Sequence, residues 1–200
     1  SSNIELGCVL NMNPVIAASK KSEDINAAKI YDMYWNRSFT NPIYLGKYPK
    51  DLFMQLDKYI KPNDMENIYQ KNNYIGLNHY QHTRVKADKN HLLGARGVFS
   101  NELPSDIKND KNLTTMGWEV VPDAYYDQIM ELKNNYKNPD IYLTENGCSY
   151  DDVIDSSGKI IDDKRIEYYQ KYLAAVKKAM NEGAKIKGYF AWSFLDNFEW

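Results

Sequence analysis

Residues 141–147 read IYLTENG: three apolar residues, a threonine, then a carboxylate, an amide and a glycine. The short apolar run bounded by turn-forming residues predicts a strand over residues 141–145. A strand that ends by delivering Glu145 into a turn sets that carboxylate at one end of a sheet. The same pattern recurs along the chain. Residues 4–11 (IELGCVLN) form an almost unbroken apolar run, as a strand buried on both faces would, and end on Asn11. Residues 74–80 (YIGLNHY) end on Asn78 and Tyr80, and residues 187–193 (KGYFAWS) run into Trp192.

Between these strands the apolar period changes to that of helices. Ser22 offers an N-cap, with Glu23 and Asp24 in the first turn, for a helix reaching about Arg37 and burying Ile25, Ala28, Tyr31 and Trp35. Residues 49–60 and 63–70 predict two shorter helices, and residues 123–136 a longer one. Asp162 caps a helix that Gly183 stops, with Ile166, Tyr169, Leu173, Val176 and Met180 on one face. Residues 81–122 have only weak patterning and predict a long functional loop. Four strands joined by helical crossovers require a parallel sheet, hence an α/β fold. No strand is followed by a Gly-x-Gly-x-x-Gly or Gly-Lys-Ser/Thr turn, so the nucleotide sites of open sheets are absent. Functional groups at the carboxyl ends of successive strands instead favour a (β/α)8 barrel.

Composition excludes several other classes. The chain has 200 residues, 43% hydrophobic and 26% charged, with a formal net charge of −2. That is the balance of a globular protein with no basic field to hold nucleic acid. The longest apolar run, residues 188–195, is far short of the roughly 20 residues that cross a bilayer, so no membrane partner is expected. Cys8 and Cys148 cannot build a disulfide framework and suit a reducing, cytoplasmic compartment. His79, His82 and His91 lack metal-ligand spacing, so neither a metal nor another cofactor is expected. The last nine residues, 192–200 (WSFLDNFEW), set aromatic planes beside Asp196 and Glu199. Rings that receive C–H faces next to acids that accept hydroxyl donors suit a sugar.

Residues 141–147 and 188–200 (GYFAWSFLDNFEW) strongly resemble the two C-terminal signatures of family 1 glycoside hydrolases, the β-glucosidase family. Residues 74–80, 7–14 (GCVLNMNP), 36–49 (NRSFTNPIYLGKYP) and 116–119 (MGWE) resemble further segments of that family, in the same order. The resemblance implies that residues 1–200 are one partial catalytic domain, strands five to eight of a TIM barrel, its C-terminal half. It places the catalytic nucleophile at Glu145 and the tyrosine that orients and tunes it at Tyr80. It also implies substrate contacts at Asn78, a sugar-stacking platform at Trp192, and recognition of the glycone's far-side hydroxyls by Glu199 and Trp200. The implied substrate is a β-glucoside or related small β-glycoside. Relatives specific for 6-phosphorylated sugars usually lack the Glu-Trp pair, and a carboxylate there would repel phosphate. A phospho-glycosidase is therefore the secondary reading, and a non-catalytic sugar-binding fragment the third.

Three positions depart from the family pattern: His79 for a usual Tyr, Tyr172 for a frequent His, and Thr115 for a common Asp. The acid/base carboxyl, which this family carries in an Asn-Glu-Pro segment on the fourth strand, has no counterpart here. Asn101-Glu102-Leu103-Pro104 breaks the triplet and follows the wrong strand. Retaining hydrolysis needs both carboxyl groups, so the isolated chain is expected to be inactive. A half-barrel would leave the edges of its first and last strands open, which predicts self-association or pairing with the missing N-terminal half.

Overall fold

The computed structural model describes residues 4–50, 57–109, 113–195 and 197. Strands among them are β1 (Gly7–Asn11), β2 (Val15–Ala17), β3 (Tyr74–Asn78), β4 (Thr83–Ala87), β5 (Ala95–Gly97), β6 (Asp140–Asn146) and β7 (Ile186–Ala191). The principal helices are α1 (Ser22–Asp32), α2 (Ser38–Leu45), α3 (Asp64–Ile68), α4 (Ser105–Asn109), α5 (Pro122–Asn135) and α6 (Asp163–Asn181). The four longer-range strands form one sheet, β1-β3-β6-β7, and every neighbouring pair is parallel. The predicted α/β class and strand sequence are both present.

The core lies between this sheet and helices α5 and α6. Ile75 and Leu77 of β3, with Ile141 and Leu143 of β6, point to the helices and are fully buried, as period-two alternation requires. Facing them are Tyr125, Ile129 and Leu132 of α5 and Tyr136 at its C-terminal cap, spaced by four, three and four residues. The stripe on α6 differs from the expected one. Tyr168, Tyr172, Ala175, Val176 and Ala179 face inward, whereas Ile166, Leu173 and Met180 are 44–52% exposed. Two tyrosines outcompete the aliphatic row because their rings fill the layer while their hydroxyls find partners: Tyr168 Oη accepts from Asn146 and Tyr172 Oη accepts from the Val121 amide.

Other expectations also shift. Ser22 is inside α1 rather than its cap; Lys21 holds that position, and the Ser19 hydroxyl donates to Asp24. The inner face of α1 is Ala27 and Ala28, while Ile25 and Trp35 stay exposed, because small residues let the helix approach β2 and β4 closely. The helix expected over residues 49–60 falls partly on residues outside the described set; Asp57–Tyr59 form a 3-10 turn. Residues 81–122 are not a plain loop. They carry the β4–β5 hairpin, which joins β2 in a second sheet. The first strand is not buried on both faces: β1 lies at the sheet edge, and Ile4, Leu6 and Val9 are 51–70% exposed. Among the described residues no further strand pairs with the outer edge of β1 or of β7.

The placement of the core is testable. Ile129→Ala should cost about 2–5 kcal/mol, whereas Leu173→Ala, on the face that hydropathy assigned inward, should stay within about 0.5 kcal/mol. Urea midpoints of the two variants measure the difference.

Candidate active site at the carboxyl end of the sheet

The site begins with a register fault. Tyr74 to Leu77 pair in step with Asp140 to Leu143, but Asn78 pairs with Glu145, leaving Thr144 as an extra residue on β6. Such a bulge re-aims side chains at a strand end. Two consecutive residues of β6 thereby reach side chains of the β3 end. Thr144 Oγ1 donates to Asn78 Oδ1 at 2.7 Å, and Glu145 Oε2 accepts from Tyr80 Oη at 2.6 Å. Asn146 then points to the opposite, buried side, where it donates to the His79 carbonyl and to Tyr168 Oη and accepts from Tyr189 Oη.

Gly147 and Trp192 close the far side. The Trp192 amide donates to the Asn146 carbonyl at 2.9 Å, and the Trp192 carbonyl packs onto Gly147. A Cβ at position 147 would lie 1.8 Å from that carbonyl oxygen, so only glycine fits. The backbone of Trp192 is thus fixed one step beyond Glu145. Its ring is half-buried.

Asn78, Tyr80, Glu145 and Trp192 are therefore gathered at one end of the parallel sheet. Glu199 and Trp200 lie outside the described residues. Glu102, the tempting substitute for a second carboxyl, is occupied elsewhere: Arg96 and Lys86 pair with it on the hairpin, at 2.6–2.8 Å. Those hydrogen bonds hold its carboxyl well below the usual range. Among the described residues no three His, Cys, Asp or Glu side chains converge as a metal site, and no helix is long and apolar enough to cross a membrane.

One neighbour escaped the sequence reading. The Trp118 ring centroid is 5.6 Å from that of Tyr80, at the rim of a cavity of about 260 Å³ lined also by Gln81, His82, Arg84, Phe99 and Glu119. Arg84 holds Glu119 through two hydrogen bonds of 2.7 and 2.9 Å, and His82 Nε2 lies 3.0 Å away. Burial would raise the Glu119 carboxyl, but those partners outweigh it and bring it down to about 2. The available signal was the Trp118-Glu119 pair, an aromatic beside an acid as at the chain's end. The departure at Thr115 is local: its amide donates to the Ser149 carbonyl at 3.1 Å and its hydroxyl meets that of Ser149.

The sequence profile of glycosyl hydrolase family 1 matches residues 1–200. The chain belongs to that family. It is 38% identical to beta-glucosidase A of Thermotoga maritima, over 98% of this chain and 43% of the relative. It is 33% identical to the 6-phospho-beta-glucosidase GmuD of Bacillus subtilis, over 98% of this chain and 44% of that protein. A solved structure of the Thermotoga maritima beta-glucosidase in complex with deoxynojirimycin superposes with a TM-score of 0.83 at 37% identity, over 98% of this chain and 43% of the other. This family 1 chain thus spans less than half the length of the relatives that it matches.

Two outcomes follow from the geometry. Gly147→Ala should lose about 1–3 kcal/mol by forcing the Trp192 backbone away, read as a lower urea midpoint. His79, fully buried behind the site, has its imidazole pushed down to about 4 by burial, partly offset by its Gln128 hydrogen bond. Between about pH 6.5 and 4 the unfolded chain binds a proton there that the folded chain does not, so stability falls as pH falls through that window. His79→Phe should remove that part of the slope in urea melts at pH 7 and pH 4.5.

Proposed function

We propose that the protein to which these residues belong is a retaining β-glycosidase of β-glucosidase type. Glu145 attacks the anomeric carbon to form a glycosyl-enzyme, and Tyr80 orients it and stabilises its charge. The observation that carries this reading is the 2.6 Å Tyr80–Glu145 bond at the carboxyl end of the sheet in a family 1 chain. Asn78 and Trp192 stand beside it, where a glycone hydroxyl and a sugar face would be received. Glu199 and Trp200 serve the far-side hydroxyls. A solved structure of a family 1 relative is a complex with deoxynojirimycin, a sugar mimic, which supports a small β-glycoside as ligand.

In this reading residues 1–200 are the last four strands of the barrel, and the acid/base carboxyl lies in the part that these residues do not contain. The chain alone then has a nucleophile without an acid. Loss of general-acid assistance typically costs about 10²–10⁴ in rate, and loss of the remaining pocket more. The open edges of β1 and β7 would take up the other half of the barrel or a second copy. Relatives that act on 6-phospho-glycosides keep that substrate class as the second reading; Glu199 weighs against it by charge.

The test uses an aryl 2-deoxy-2-fluoro-β-glucoside and mass spectrometry. The complete gene product should acquire one fluoroglucosyl group on the peptide containing Glu145, and Glu145→Gln should abolish both labelling and turnover. The isolated 200-residue chain should be neither labelled nor active. Labelling elsewhere, or rapid labelling of the isolated chain, would overturn the assignment.

A further inference from the structure

The helix-facing row of β3 is apolar until its end. Ile75 and Leu77 are followed by His79, also fully buried, between the two site residues Asn78 and Tyr80. Its Nδ1 donates to Gln128 Oε1 on α5 at 2.5 Å, and Gln128 is itself buried. The imidazole stacks on Tyr125 with centroids 4.4 Å apart, and Tyr172 of α6 leans on both rings. The backbone of His79 is engaged as well. Its amide donates to the Glu145 carbonyl at 2.9 Å and its carbonyl accepts from Asn146 Nδ2 at 2.9 Å. One residue therefore joins α5, β3 and β6 at the level of the Tyr80–Glu145 bond.

Apolar packing holds a strand against a helix without fixing its position along the axis, because it is not directional. A buried hydrogen bond is directional, and leaving either partner unpaired is costly. We propose that His79 is a positioning residue: through Gln128 it fixes the carboxyl end of β3 on α5, so that Tyr80 meets Glu145 at bonding distance. The inference rests on the glycosidase reading above. It also accounts for a pair of departures that looked independent in the sequence. His79 and Tyr172 face each other, and Tyr172 Oη accepts from the Val121 amide at the start of α5. The strand end and the helix that anchors it are thus registered together. A displacement of about 1 Å at a reacting group can cost about 10²-fold in rate, so a remote bond of this kind is felt in turnover.

Four variants of the complete gene product test this: His79→Phe, which keeps a ring but removes the donor; Gln128→Leu, which removes the acceptor; their double variant; and His79→Asn, whose amide nitrogen can stand where Nδ1 stood. On an aryl β-glucoside, His79→Phe and Gln128→Leu should each lower kcat at least tenfold with KM within twofold. The double variant should be no worse than either single one, and His79→Asn should recover part of the loss. The fluoroglucoside should label Glu145 more slowly in both single variants, as in Tyr80→Phe, since a misplaced phenol no longer orients the carboxylate. A purely structural role would lower the urea midpoint and leave kcat, KM and the labelling rate in place; that result overturns the proposal. So does equal loss in His79→Phe and His79→Asn. If His79→Phe fails to fold, Gln128→Leu decides alone. Wild-type protein that is not labelled at Glu145 sinks the glycosidase reading and this inference with it, whereas labelled wild type with undiminished variants sinks the positioning role only.

Discussion

A carboxylate can be held at the open end of a parallel sheet only if the strand that carries it is fixed from both sides. β6 meets that requirement by lying between β3 and β7. On one side the β3 pairing ends in a bulge that turns Thr144 and Glu145 toward Asn78 and Tyr80. On the other, the Trp192 amide bonds to the Asn146 carbonyl and its own carbonyl rests on Gly147, where no side chain could be accommodated. Behind the strand, Asn146 is satisfied by the His79 carbonyl and two tyrosine hydroxyls. Every residue from 144 to 147 has its place set by a named partner.

The helix layer serves the same end. Buried tyrosines dominate it, and their rings form a row in mutual contact from Tyr168 through Tyr172 and Tyr125 to His79. Burial pushes the phenols of Tyr125 and Tyr168 far up, so both stay protonated throughout the physiological range. The row is therefore neutral. It supplies hydrogen bonds to the strand ends without adding a charge behind Glu145. The second sheet plays a different part: its hairpin carries Arg84, which anchors Glu119 and so steadies Trp118 against Tyr80.

Much of this was legible in the chain. Apolar runs that each end on a polar or aromatic residue revealed the parallel strands, and the identity of those end residues pointed to the site. The Asn78, Tyr80 and Glu145 cluster could be named through the resemblance to family 1, and period-two alternation agrees with it by setting Asn78 and Tyr80 on one face. Helix faces were less legible. Ile166, Leu173 and Met180 score as more apolar than Tyr168 and Tyr172, yet the tyrosines go in, because hydropathy does not count hydroxyls that find partners across the core. The β4–β5 hairpin was missed because Thr83 to Ala87 mixes charged and apolar residues, with only Val85 buried in it.

The sequence by itself determined the α/β class, the order of the parallel strands and the residues presented at their ends, since each of these follows from local period and from residue type. Tertiary structure decided the rest. It placed Glu145 opposite Asn78 through a bulge that no local pattern announces, brought Trp118 to Tyr80 across 38 residues of chain, and set His79 against Gln128 and Tyr172. Those relations depend on which faces meet once the helices close over the sheet. That is a property of packing, which no single stretch of chain contains.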